Sequence, residues 1–357
     1  MPIYSALDAI SPAVARTKLV LFTPFRFGRT WKLAFTSYLT VIGSVFMPIF
    51  LLVVFFVPHL RQLGGFVLVT ASLLSAIVLT LFGAWLFYLG TRLRFAFFDV
   101  VLHRGDLITP PWRKYGPQAV RWSLFKIALG TALMALIAVP MLTFYRHLFV
   151  TLLALSKLHP GEQPPPELFF TLMTGYVSFY LAFILIFWLS GLLSDFIVPS
   201  LALEDTTLAE AFRRLGQLIR NEPGQFTAFA CLKLVLAVAG YMAWAIVFEI
   251  GIILVLLIVG IVAAIIGFLL HLAGIPLPVL VGLGIVLAIA FYAFILWATT
   301  FGVGTLLTFL EAYALYFLAG RYPMLGDLLA ASTPPPTTAS PLYPAPYPPY
   351  NPPPAIE

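Results

Sequence analysis

Two charged side chains lie inside the longest apolar stretch of this chain, where a charge is most expensive. Lys233 and Glu249 fall between Gln225 and His271, in a segment that is otherwise almost entirely apolar. A charge at the centre of a bilayer costs about 2.5–3.5 kcal/mol on insertion scales, so it usually has a partner or a function. Glu249 could be a proton or cation site, or it could mark a bend at the far membrane interface. Lys233 could extend its ammonium back to the lipid headgroups.

Three further acids occupy equivalent positions near the ends of apolar runs. Asp99, Asp195 and Glu311 each stand alone in an apolar and aromatic context. We expect them to form a ring of ion pairs that ties the helices together. The candidate basic partners are Arg29, Arg121 and Arg213. The alternative is a proton-relay triad for transport, because functional ionisable residues in membranes face cavities.

Sequence motifs that would supply other chemistry are missing. The chain has no Gly-x-x-x-x-Gly-Lys loop for nucleotide phosphates and no Gly-x-Ser-x-Gly elbow for a nucleophilic serine. The five histidines are scattered, with none in a His-x-x-x-His pair, and Cys231 is the only cysteine. The sequence therefore nominates no catalytic, cofactor-binding or metal-binding residue, and we expect no enzymatic activity.

The composition explains which solvent surrounds these charges. The chain of 357 residues is 61% hydrophobic and only 10% charged, whereas a soluble domain carries about 25% charged residues. The apolar runs are long and continuous, so they predict membrane-spanning α-helices of about 20 residues or more. The net charge of +6 does not indicate nucleic acid, because the basic residues, such as those from Arg92 to Lys126, flank apolar runs as the positive-inside rule describes.

Prolines, glycines and capping residues divide the chain into helices. A short N-terminal helix is expected from Ser11, and Thr207 with Glu210 forms a capping-box pattern before an amphipathic helix that ends at Arg220. The segment from Gln225 to His271 is too long for one crossing, so it either bends near Glu249–Gly251 or continues along the far interface. The predicted spans are 33–57 ending at Pro58, 66–102, 119–144, 168–198 ending near Pro199, the segment from Gln225, and 278–301 followed by an amphipathic extension to Gly320.

An internal repeat organises these spans into hairpins. An aromatic and basic segment precedes an outgoing helix three times, at 25–32, 112–126 and 212–226, and each returning helix carries one of the three acids. The fold class predicted is an all-α polytopic bundle of six core helices in three pseudo-repeated hairpins, with seven as the alternative. The predicted domains are an interfacial amphipathic segment (1–32), a transmembrane domain (33–321) and a disordered Pro-rich tail (322–357), which either docks to an aromatic groove or has no partner.

Five short motifs carry a resemblance to a known family. They are ALDAISPA at 6–13, PFRFGR at 24–29, YGPQA at 115–119, DFIVP at 195–199 and TFLEAYALY at 308–316. Together they resemble a prokaryotic multi-pass membrane protein family of unknown function. More distantly the chain is similar to the membrane domain that accompanies some glycerophosphodiester phosphodiesterases. The resemblance implies a fold and no chemistry.

Two functions fit these features. The first is a membrane-organising or accessory component of the cell envelope without enzymatic chemistry, which the aromatic and basic segments and the Pro-rich tail favour. The alternative is a transporter or permease-like subunit for a small or lipidic substrate, since transporters are commonly built from repeats around a central site. We expect the lipid bilayer as the main partner, a possible protein partner at the tail, and no nucleic acid. The expected location is the cytoplasmic membrane of a prokaryote, with the N-terminus in the cytoplasm.

Overall fold

The computed structural model describes residues 3–42, 49–105, 107–133 and 166–332, and these residues form helices joined by short turns, without a β-strand among them. The second half of the predicted span 119–144 and the tail from Thr333 lie outside these ranges. The all-α class is confirmed. The helices are α1 (Ile10–Phe22), α2 (Phe27–Ile42), α3 (Ile49–His103), α4 (Thr109–Lys114), α5 (116–133), α6 (Pro166–Glu204), α7 (Leu208–Asn221), α8 (Pro223–Leu272), α9 (Leu277–Ala319) and α10 (Pro323–Ala331).

Four of these helices are long and apolar enough to cross a membrane. They comprise Gly65–His103 of α3, Met173–Glu204 of α6, and the whole of α8 and α9. Their surfaces are largely exposed apolar side chains, which soluble monomers rarely present in continuous patches. Lipid chains are the natural cover for such surfaces. The total number of crossings stays a prediction.

The buried core lies at one end of the long helices, which we call the base. It contains the C-terminal parts of α3, α6 and α9, the first turns of α8, and the short helices α1, α7 and α10. Aromatic rings pack its centre: Phe229 stacks on Phe317 with centroids 4.4 Å apart and on Tyr313 at 5.0 Å. The run from Leu310 to Ala319 is buried throughout, so the predicted amphipathic extension of the last span is instead a core segment.

Two predicted helix ends were wrong because each rested on a proline. The helix that contains Pro58 continues beyond it, and the break comes at Gly65, whose φ of 65° and ψ of −160° are accessible to glycine. Helix α6 likewise continues through Pro199 to Glu204. A proline removes one intrahelical hydrogen bond, which neighbouring packing can compensate in membrane proteins. The predicted boundaries at residues 66 and 102 of the following span are confirmed to within one residue.

Helix α8 is continuous over 50 residues, or about 75 Å. It has no break near Glu249, where a bend was one alternative, and the chain turns only at Gly274 with a φ of 80°. Helix α9 then returns alongside α8. A side chain at Gly302 would collide with the ring of Trp244, so this glycine permits close contact between the two helices.

The chain ends of the predicted transmembrane domain need correction. The N-terminal helix α1 does not lie apart from the domain, because Ala13, Val20 and Leu21 are fully buried in the base. Residues 323–331, which the sequence placed in the disordered tail, form α10 with Leu325 and Leu329 buried. The predicted tail is thereby shortened to the residues after Ser332, which lie outside the described ranges. Both helices join the base because each presents a small apolar face that a long apolar helix can cover.

Candidate functional site

Four charged side chains from four long helices meet where the base joins the spans. A terminal nitrogen of Arg94 on α3 donates to Oδ1 of Asp195 on α6 at 2.5 Å and to Oε2 of Glu311 on α9 at 3.1 Å. The ammonium of Lys233 on α8 donates to the other oxygen of Asp195. We call these four residues the charge cluster. It links four separate helices through ion pairs.

The charge cluster is nearly sealed from solvent. The side chain of Asp195 is 0% exposed, and those of Arg94, Lys233 and Glu311 are 9–12% exposed. Removing one member of a buried ion pair leaves an uncompensated charge and costs about 3–5 kcal/mol. Each member of the charge cluster therefore depends on its partners for stability.

A fifth charge, Lys126 on α5, stands beside the charge cluster at the same cavity. Its residue is only 7% exposed. Its ammonium lies 4.8 Å from the ring centre of Phe87 and 5.9 Å from that of Trp122, which provide cation–π contacts. In the part of the chain that the structure describes, Lys126 makes no hydrogen bond or ion pair. Together with the charge cluster, Lys126 gives a set of three cationic side chains and two carboxylates.

The five charges border a cavity of about 100 Å³. Its remaining wall comes from α2, α3, α6 and α9 and includes the hydroxyls of Ser190 and Ser194. The Ser194 hydroxyl donates to the backbone oxygen of Ser190 at 2.7 Å, whereas the Ser190 hydroxyl has no partner among the described residues. Gly191 also lines the cavity, and a side chain added there would meet no atom within 4 Å. The cavity can accommodate a small polar group with one negative charge.

Of the acids in the predicted ring of ion pairs, the structure brings Asp195 and Glu311 together. The two acids meet through Arg94, which pairs with both, and Lys233 is buried in an ion pair with Asp195. Asp99 lies further into the base, where it accepts a hydrogen bond from the Tyr115 hydroxyl at 2.6 Å. Burial and this hydrogen bond raise the pKa of Tyr115 above its ordinary value.

The other nominated charges lie away from the cavity. Arg121 is 3.5 Å from Asp205, and Arg213 pairs with Glu210 on its own helix at 3.0 Å. The last two are Arg29, near the start of α2, and Glu249, which is exposed on α8 and has no polar partner among the described residues. Sequence reasoning assigned Arg94 and Lys126 to the flanking basic residues. Their proximity to apolar segments could have suggested that they are buried, but which cations point inward depends on how each helix is rotated about its axis.

One buried cation stabilises the base in a different way. The guanidinium of Arg16, which is fully buried, donates to the carbonyls of Val101 and Leu102 at 2.5–3.0 Å. It also donates to the backbone oxygen and hydroxyl of Ser332 at 3.2 and 2.8 Å. These acceptors lie at the C-terminal ends of α3 and α10, where helix dipoles favour a cation. Burial lowers the pKa of Arg16 from its ordinary value, and Arg104 contributes, while Tyr316 opposes the shift.

The described residues contain no group of three or more His, Cys, Asp or Glu side chains placed to hold a metal ion. The polar groups that line the cavity are ammonium, guanidinium, carboxylate and hydroxyl groups. Such a set can bind and orient an ionic group.

Comparison with known proteins gives one match. A family model with the description "Family of unknown function (DUF7544)" matches residues 4–328. Searches of curated proteins and of solved structures gave no match. The likeness to the membrane domain that accompanies some phosphodiesterases is not addressed by this match and stays a prediction. The matched segment contains all five charges of the cavity, and the chain belongs to the DUF7544 family of unknown function.

Proposed function

We propose that this protein is a non-enzymatic membrane component that holds a lipid at the charged cavity and so organises lipid in the cell envelope. The observation that carries the proposal is the position of the charge cluster. Along α3, exposed apolar side chains extend to Leu86, Arg94 follows, and the fully buried base begins at Phe95. Along α8, Lys233 separates buried Phe229 from exposed Leu234. If lipid chains cover the exposed parts, the cavity lies at the level of the headgroups.

The proposed topology is six crossings in three hairpins, in the cytoplasmic membrane of a prokaryote, with both termini in the cytoplasm. The abundance of Lys and Arg before the outgoing helices supports this orientation. A Cys231→Ser background removes the only cysteine, and single cysteines are then introduced in the tail and near Gly274. An impermeant thiol reagent applied to intact cells is expected to label the Gly274 site and not the tail. Labelling of the tail would contradict the six-helix arrangement.

The direct test of function is native mass spectrometry of the protein in nanodiscs made from its own membranes. We expect a lipid to remain bound in stoichiometric amount after the surrounding lipids have been removed. The same sample tests the tail: a protein partner that is lost on deletion of residues 333–357 would support a docking role for it. Release of the protein without lipid or partner would contradict the proposed function.

A transporter for a small or lipidic substrate is the second candidate. It is favoured by Asp195 and Lys233, which line a cavity, and disfavoured by Glu249, which is exposed on the apolar surface of α8. Uptake or release of lipid across the bilayer of proteoliposomes, compared with protein-free liposomes, separates the two candidates. A lipid that binds without crossing supports an organising role, and one that crosses in a protein-dependent manner supports transport.

A further inference from the structure

The charge balance of the cavity indicates which kind of lipid it holds. Arg94 and Lys233 are matched by Asp195 and Glu311, and the described residues supply no counter-ion for the ammonium of Lys126. Burying an unpaired ammonium is unfavourable, so the group either releases its proton or is stabilised by an anion that enters with it. An anion in the cavity would complete the balance with a single negative charge.

We propose that the cavity binds a phosphate ester, with Lys126 as the ammonium that contacts the phosphate oxygens. This inference rests on the proposed function and names the chemical class of its ligand. A phosphodiester carries one negative charge, which equals the excess positive charge of the five side chains. The hydroxyl of Ser190 supplies a second donor, because it lines the same cavity and has no other partner among the described residues.

The size and position of the cavity agree with this ligand. A volume of about 100 Å³ exceeds what one water needs by several-fold, so it admits a polar group of several atoms but not a whole lipid. The α6 wall near Gly191 is only partly buried, so acyl chains attached to a bound headgroup could remain among the exposed apolar surfaces. Lipid phosphate and free inorganic phosphate share this chemistry, and the two sources are distinguished by experiment.

Two variants of the full-length protein test the inference by independent means. Lys126→Met removes the ammonium and keeps a long side chain, while Lys126→Arg retains the charge. Gly191→Leu leaves all charges in place and adds a bulky side chain to the cavity wall, at a position where a Cβ would meet no atom within 4 Å. Matched controls are Arg121→Met, an exposed cation on the same helix, and Gly83→Leu, a helical glycine of α3 that also faces open space.

The measurement is lipid occupancy by native mass spectrometry after titration with phosphatidylglycerol, diacylglycerol or palmitate. We expect the wild-type protein to bind phosphatidylglycerol, and to bind diacylglycerol and palmitate at least tenfold more weakly. Lys126→Met and Gly191→Leu should each lower the affinity for phosphatidylglycerol at least tenfold, which is about 1.4 kcal/mol. Lys126→Arg and both controls should stay within about threefold of the wild type. A separate titration with inorganic phosphate shows whether free phosphate binds with the same dependence on Lys126.

The outcomes distinguish a failure of the proposed lipid function from a failure of the phosphate inference alone. If Gly191→Leu retains its lipid, the cavity is not the lipid site and the proposed function fails with the inference. If Gly191→Leu loses lipid but Lys126→Met does not, or if palmitate binds as well as phosphatidylglycerol, the cavity holds lipid and the phosphate inference is overturned. If inorganic phosphate binds in a manner that depends on Lys126, while phosphatidylglycerol binding depends on neither Lys126 nor Gly191, the site belongs to a soluble phosphate and the lipid function is overturned.

Discussion

Replacing Asp195 with asparagine is expected to destabilise the fold more than any exposed charge substitution. Asp195 accepts from Arg94 on one carboxylate oxygen and from Lys233 on the other. Asparagine has one acceptor oxygen, and its amino group would face one of the two cations. The variant therefore loses a charge and a hydrogen bond at once, in a position where the side chain is 0% exposed.

The magnitude follows from the environment of this side chain. With an effective dielectric constant of about 20, one pair of charges 2.5 Å apart has an attraction of about 6–7 kcal/mol. Desolvation offsets part of this, and breaking buried pairs costs about 3–5 kcal/mol in measured cases. Glu311 still accepts from Arg94 in the variant, so we expect a loss of about 3–5 kcal/mol in the free energy of unfolding.

The assay is SDS titration of the protein in mixed micelles, with helix content followed by circular dichroism. Asp205→Asn is the matched control, because Asp205 is 64% exposed and pairs with Arg121 at 3.5 Å; its loss should be within about 1 kcal/mol. The double variant Asp195→Leu with Lys233→Met leaves Arg94 paired with Glu311. We expect it to be more stable than Asp195→Asn alone, since apolar replacement of a buried pair is often close to neutral.

Equal losses for Asp195→Asn and Asp205→Asn would refute the reasoning. A loss below about 1 kcal/mol for Asp195→Asn would have the same meaning, because such values are typical of solvent-screened pairs. The charge cluster would then contribute little to holding the four helices together.

Three further predictions concern the base and its helices, all measured by the same SDS titration. Gly304→Ala should lower the free energy of unfolding by about 1–3 kcal/mol, because the added methyl would collide with the backbone of Ala34 on α2. Its control, Gly83→Ala, adds a methyl in open space and should raise that free energy by up to about 1 kcal/mol. Equal effects of the two substitutions would contradict this account. Arg16→Met should lose at least about 3 kcal/mol, since buried carbonyls at the ends of α3 and α10 would each lack a donor, and retention of wild-type stability would show that they find other donors. Thr207→Ala should lose about 1 kcal/mol, because its hydroxyl accepts from the first turn of α7, while Thr207→Ser should retain most of that stability.

The sequence predicted the features that depend on short segments. The boundaries of the span 66–102 and the Thr207 cap of α7 were predictable, because a continuous apolar run and a capping residue act within a few residues of chain. The repeat also identified Asp195 and Glu311 as equivalent acids of two returning helices. Pro58 and Pro199 misled the prediction, since the cost of a proline within a helix depends on what packs around it.

The tertiary structure decided which charges meet. In the sequence, Arg94 and Lys126 look like other flanking cations, and Lys233 stands alone in an apolar stretch. Only the rotation and depth of five helices bring these cations to one cavity with Asp195 and Glu311. Electrostatic energy in a region that excludes water falls off with distance and depends strongly on burial, so a shift of one turn changes the partner. The sequence alone thus determined that the chain is helical and suited to lipid, because composition fixes the preferred solvent of each segment. The tertiary packing of the bundle determined which of its charges pair, because these ion pairs join side chains that are distant in the sequence.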